Sequence, residues 1–171
     1  RALTKTYIIL YRGHVNSKRK KMNSYEFETK PFDHQLSVIR DSWSEKYFAL
    51  FMEMGTGKTK VVIDTMGILY EEEKINAALV IAPKGVYDNW VRKEIPVHLP
   101  KRIARNIVRW QPNITQKFQD ELEPFVLDPF DGIKLFVMNV EAFSTTKGLQ
   151  IAKVFLKKNP KNMVIVDEST T

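Results

Sequence analysis

The sequence contains no cysteine, which excludes disulfide cross-links and thiolate metal sites and suits a reducing compartment. Its three histidines are scattered, without metal-ligand spacing. No apolar run approaches the roughly 18 residues that a membrane-spanning helix needs, so no transmembrane segment and no membrane partner are expected. The apolar piece from Tyr7 to Leu10 is too short for the core of a signal peptide, and the expected location is intracellular, in cytoplasm or nucleoid. Internal repeats and low-complexity segments are also missing. What is there is a 171-residue chain, 43% hydrophobic and 27% charged, the composition of a globular domain that can bury a core.

The net charge of +7 invites a nucleic-acid reading, but its distribution weakens it. Residues 1–30 hold eight Lys/Arg against two acids, whereas residues 31–171 hold nineteen against eighteen. The excess centres on Lys18-Arg19-Lys20-Lys21, which reads as a solvated tail. Residues 1–30 are therefore expected to form a basic N-terminal extension, and Met22 would serve as a natural start. On that view residues 1–21 are an appendage. The alternative is a strand over Thr6–Tyr11 that pairs with Tyr25–Thr29.

From Pro31 the pattern alternates between helix and strand. Asp33 can cap a helix with Leu36, Ile39 and Trp43 inward. Tyr47–Met52 reads as a buried strand, and Lys60–Tyr70 as a helix with Val61, Val62, Thr65 and Leu69 inward. Ala77–Ala82 is an unbroken apolar strand, followed by a helix from about Val86 to Glu94. Pro96 and Pro100 are expected to break the chain. Asn106–Trp110 is a short strand, and Asn113 or Thr115 starts a helix to about Glu123. Strand Ile133–Met138, helix Lys147–Lys158 and strand Met163–Val166 complete the pattern. Continuous apolar strands separated by helices predict an α/β fold, a parallel sheet with helices on both faces.

Met52-Glu53-Met54-Gly55-Thr56-Gly57-Lys58-Thr59 lies between a strand and a helix, the context of a phosphate-binding loop. Glycines let backbone N–H groups close around phosphate oxygens, and the helix directs its positive end at the same anion. Lys58 would reach the β- and γ-phosphates of ATP, and the Thr59 hydroxyl would ligate Mg²⁺. Met52 stands where the usual motif has its first glycine. Asp167-Glu168 follows the last strand, at the sheet end where ligands bind in α/β folds. Asp167 would hold Mg²⁺, and Glu168 would orient and deprotonate the attacking water. The loop alone leaves kinases, GTPases and ATPases open.

Four blocks in order narrow the choice. Pro31-Phe32-Asp33-His34-Gln35, Glu53 to Thr59, Val80 to Trp90 and Val164 to Ser169 resemble the Q-type motif and motifs I, Ia and II of superfamily 2 helicases. A weaker match, Phe136 to Glu141, falls where that family has motif Ib. The chain is similar to the first RecA-like P-loop NTPase lobe of those proteins, over residues 31–171. It lies closest to the SWI/SNF-type translocases and their phage relatives among the DEAD/DEAH-like motors. That form of motif I accounts for Met52.

The resemblance implies that Gln35 recognises the adenine edge with Phe32 packed nearby, and that Gly55, Thr56, Gly57, Lys58 and Thr59 hold the triphosphate. It also implies that Lys84 and Gly85 touch the nucleic-acid backbone. Arg92, Lys93, Lys101, Arg102 and Arg105 could extend a basic track, and Trp90 reads as core. DNA is the expected track over RNA, because Glu53-Met54-Gly55 and Asn89-Trp90 favour the SWI/SNF type over RNA-directed DEAD-box enzymes, which carry Asp-Glu-Ala-Asp where this chain has Asp-Glu-Ser-Thr. The resemblance further implies a second RecA-like lobe outside these residues, which would supply arginine fingers. On that reading the lobe alone binds ATP weakly and hydrolyses it very slowly. Rival readings are the motor subunit of a restriction or repair complex, a non-enzymatic nucleotide-sensing scaffold and an unrelated phosphate-loop kinase.

Overall fold

Side chains alternate across a strand, so a strand buried along its whole length must be covered on both faces. Ala77–Ala82 and Ile133–Asn139 are buried at every position. Ala78, Val80, Leu135 and Val137 enter one apolar cluster, while Ala77, Leu79, Phe136 and Met138 enter a second. The computed structural model describes residues 4–12, 24–53 and 55–168, and shows the helices that form these two layers. Lys18 to Lys21, Met22, Met54 and Ser169, all singled out in the sequence, lie outside the described residues.

The strands are β1 (Thr4–Arg12), β2 (Tyr47–Glu53), β3 (Ala77–Ala82), β4 (Arg105–Arg109), β5 (Ile133–Asn139) and β6 (Asn162–Glu168). The helices are α1 (Asp33–Ser42), α2 (Lys58–Glu71), α3 (Tyr87–Asn89), α4 (Ile95–His98), α5 (Gln116–Leu127), α6 (Val140–Phe143) and α7 (Thr146–Lys158). Residues of α1, α2 and α4 pack on one face of the sheet, and those of α5 and α7 on the other. Thr115 and Thr145 start α5 and α7, each accepting a hydrogen bond from the backbone N–H three residues on.

The strand order is β2-β1-β6-β3-β5-β4. β6, β3, β5 and β4 pair in parallel, as expected. β1 departs from expectation twice. It pairs with β2 and β6 rather than with Tyr25–Thr29, and it runs antiparallel to both. The sheet is therefore mixed, and Thr4–Arg12 belongs to it instead of standing outside as an appendage. A lone apolar strand pairs wherever hydrogen-bonding edges are open, which local sequence does not specify.

Four local expectations are also corrected. β2, expected as a buried strand, buries Leu50 but exposes Tyr47 and Phe51. Asp33 is the first helical residue, with Phe32 at the capping position. α2 is buried on almost every side, because Tyr25 packs over Gly67 while α1 and α4 cover other faces. Pro96 does not break the chain. A π-helical turn, Trp90–Glu94, precedes α4, and Pro96 falls in its first turn, where its missing N–H is tolerated.

Candidate functional site

The loop after β2 turns on two glycines in the left-handed region, Gly55 at φ 80° and Gly57 at φ 77°. Gly57 caps α2, so the first-turn N–H groups of that helix have no intrahelical acceptor and stand at its positive end. Gly57 also has no room for a side chain: a Cβ would fall 2.1 Å from Gln35 Nε2. Gly55 has nothing within 4 Å of the corresponding position.

Lys58 is buried, and its ammonium donates to the carbonyl of Met52 at 2.6 Å and also to that of Glu53. A phosphate contact by Lys58 therefore exchanges a carbonyl for a phosphate oxygen. Thr56 Oγ1 donates to Glu53 O at 2.8 Å, which closes the loop on itself. Thr59 occupies the second position of α2 and is partly buried.

Gln35 is brought directly onto this loop. Its Nε2 donates to Thr56 O at 3.0 Å, while its Oε1 accepts from Phe32 N at 2.9 Å. Both ends of the amide are thereby assigned, and the residue is 2% exposed. Phe32 is 68% exposed beside it, a flat apolar face open to a planar partner. His34, which sequence reasoning quoted without a role, stacks on Phe32 at 5.8 Å and places Nε2 3.1 Å from Thr56 O. Its neighbourhood to Gln35 within one helical turn was the available signal.

The acidic pair lies two strands away. Leu50, Tyr7 and Asp167 align across β2, β1 and β6, as do Phe51, Thr6 and Glu168. Interstrand spacing makes the gap from β2 to β6 about 10 Å, with both strands ending on the same sheet edge. Asp167 is fully buried: its Oδ2 accepts from Trp90 Nε1 at 3.0 Å, and its Oδ1 has no hydrogen-bond partner among the described residues. Trp90 is core, as expected, but its bond to Asp167 was not foreseen. Nothing in the sequence links positions 77 residues apart.

Lys84 and Gly85 are exposed in the turn between β3 and α3. Glu141 stands nearby, held below the ordinary carboxyl range by its own backbone N–H, then by the Asn139 amide, with Lys84 adding to the effect. The structure brings these motif Ia and Ib residues together at the ends of β3 and β5. It does not make the other basic residues one track. Arg102 is committed to Glu71 at 2.7 Å, and Arg105 to the Leu99 carbonyl at 3.0 Å. Arg92 and Lys93 are exposed.

Among the described residues no group of three or more His, Asp or Glu could hold a metal unaided. The donor set of Thr59 and Asp167 fits Mg²⁺ only in the manner usual for that ion, with phosphate oxygens and water completing the shell. The two left-handed glycines, the helix N-terminus and the unpartnered Asp167 Oδ1 suit a magnesium nucleotide.

A phosphate loop and an acidic strand end on one edge of a sheet with helices on both faces define a RecA-like ATPase lobe. Residues 38–171 match the SNF2-related domain, and the chain belongs to that family. The family comprises the N-terminal lobe of superfamily 2 helicase-like ATPases, so the chain is of the helicase or translocase type in general. The match begins after Phe32 and Gln35. No curated protein matches the chain. No helix among the described residues is long and apolar enough to cross a membrane.

Proposed function

We propose that this chain is the ATP-binding and ATP-hydrolysing lobe of a nucleic-acid-dependent motor that acts on DNA, a first lobe built of residues 31–171 together with the strand Thr4–Arg12. The observation that carries the reading is the bond from Gln35 to Thr56, which joins a base-recognition segment to the phosphate loop. Bound Mg²⁺-ATP supplies the phosphoanhydride whose hydrolysis drives the motor. Gln35 orients the adenine edge, and Phe32 covers its face. Gly55, Thr56 and Gly57 shape the cradle, Lys58 binds the outer phosphates, and Thr59 and Asp167 hold the metal. Trp90 keeps Asp167 from rotating. Glu168, at the end of β6, holds the proton of the attacking water. Lys84 and Gly85 contact the nucleic-acid backbone from the neighbouring strand ends.

The test is Lys58→Ala in the full-length protein, with ATP hydrolysis measured on duplex DNA, single-stranded DNA and RNA. The expected result is DNA-stimulated turnover that falls on the order of 10²-fold or more in the variant. Turnover unchanged by the substitution, or stimulated only by RNA, would overturn the reading. For residues 1–171 alone, the expected rate is very slow with or without DNA, because the second lobe supplies part of the catalytic charge.

A further inference from the structure

The first turn of α2 carries two lysines that face different ways. The Lys58 ammonium meets the loop carbonyls of Met52 and Glu53. Lys60, 6% exposed, donates instead to the Thr29 carbonyl at 2.7 Å and to Asp64 Oδ2 at 2.6 Å. Its ammonium also lies 5.6 Å from the centroid of the Phe27 ring. A buried ion pair is weak grounds for stability, since desolvation offsets its attraction. Here the pair does something more specific: it grips the backbone of a separate segment.

Thr29 lies just upstream of Phe32 and Gln35. Its hydroxyl shares a 2.9 Å hydrogen bond with His98 Nδ1 of α4, so this point is held from two elements. Further along, Gln35 holds Thr56 O at 3.0 Å. The segment from Thr29 to Gln35 is thus clasped to the phosphate loop and its helix at two points, with exposed Phe32 between them.

We propose that Lys60, held by Asp64, is a positioning residue for base selection, fixing Thr29 so that Phe32 and Gln35 stand at a set height over the phosphate loop. The inference rests on the adenine reading of Gln35 given above. It assigns Lys60 no contact with nucleotide. Its effect should therefore appear in discrimination between bases and not in affinity for the phosphates.

The experiment uses the full-length protein and the double variant Lys60→Met/Asp64→Asn, which removes both charges at similar volume. Affinities for ATP, GTP and inorganic tripolyphosphate are measured together with kcat at saturating ATP. The expected result is ATP affinity weakened about tenfold and the ATP-over-GTP preference driven towards one. Tripolyphosphate affinity and kcat should stay within about twofold. In a Gln35→Ala background the double variant should produce no further loss of preference, because Lys60 acts through that segment. An unchanged preference, or equal losses for ATP and tripolyphosphate, would overturn the proposal. Should the double variant melt below the assay temperature, Lys60→Arg gives the second measurement, with a smaller loss of preference expected and the same overturning result. A parent protein with no preference for ATP and no Lys58-dependent hydrolysis would overturn the underlying site reading, before any Lys60 variant is compared.

Discussion

Gly55 and Gly57, two positions apart, illustrate what single residues contribute. Gly55 and Gly57 both adopt positive φ, so alanine at either position costs about 1–2 kcal/mol of backbone strain. Only Gly57 also abuts Gln35. Gly57→Ala should therefore weaken ATP binding by displacing the Gln35 amide, beyond the strain common to both variants. Denaturant titration and ATP titration of the two variants side by side will separate the effects. The glycines were legible in the sequence because their spacing states a backbone requirement. The Trp90–Asp167 bond and the Lys60–Thr29 contact were not, since each joins residues that only the folded sheet brings together.

Asp64 adds a pH signature at the same scale. Burial raises its carboxyl from the ordinary 3.8 to about 6, against the lowering effect of the Lys60 ammonium. The raised value means that the folded state binds this proton more tightly than the unfolded state. The resulting stabilisation is fully present below about pH 4 and is lost as pH rises through about 6. The stability of the parent relative to Asp64→Asn should fall by about 2 kcal/mol between pH 4 and pH 7. His98, lowered chiefly by burial and then by Lys60, titrates with the opposite sign and is common to both proteins. Unfolding free energies across that pH range give the difference directly.

Among the elements, the π-helical turn and the two threonine-capped helices show how local chemistry serves the sheet. The turn brings Trp90 Nε1 to Asp167 while the chain continues through Pro96 into α4. Trp90→Phe keeps an aromatic ring in the core but removes the donor, leaving a buried carboxylate without that bond. The expected loss is about 1–3 kcal/mol, read from urea unfolding. Thr115→Ala should cost about 1 kcal/mol, because it frees the Phe118 N–H at the start of α5. The start of α5 was readable to within two residues, at Asn113 or Thr115, because such caps are local, and Thr115 is the one that caps it. The end of α5 was not: it runs through Pro124 to Leu127, where Phe125 and Val126 gain burial against the sheet. Packing there outweighs the proline.

For the whole molecule, the plan of a sheet covered by helices on both faces followed from unbroken apolar strands, and the parallel pairing of β6, β3, β5 and β4 agrees with it. The place of β1 did not follow, because an apolar strand with no local partner carries no information about which edges it will join. Among the described residues β2 pairs only with β1, so the strand that launches the phosphate loop reaches the sheet through Thr4–Arg12. A chain begun at Met22 should therefore lose cooperative unfolding of β2 with the remainder. Hydrogen exchange of the Tyr47–Glu53 amides, compared with those of β3, measures this. Equal protection in the two chains would show that β1 is dispensable.

The position of β1 also bears on the order in which the protein assembles. It is made before the other strands among the described residues, yet Ile9 pairs with Ile165 in β6, the most distant of them along the chain. Contacts so distant along the chain close slowly, after helices and neighbouring strands have formed. The β1–β2 pair can form early, but it docks only once β6 has been made. The strand that leads into the candidate phosphate loop is thus expected to join the sheet late, after synthesis has passed Glu168, and pulse-labelled hydrogen exchange of β2 against β3 during refolding checks that order.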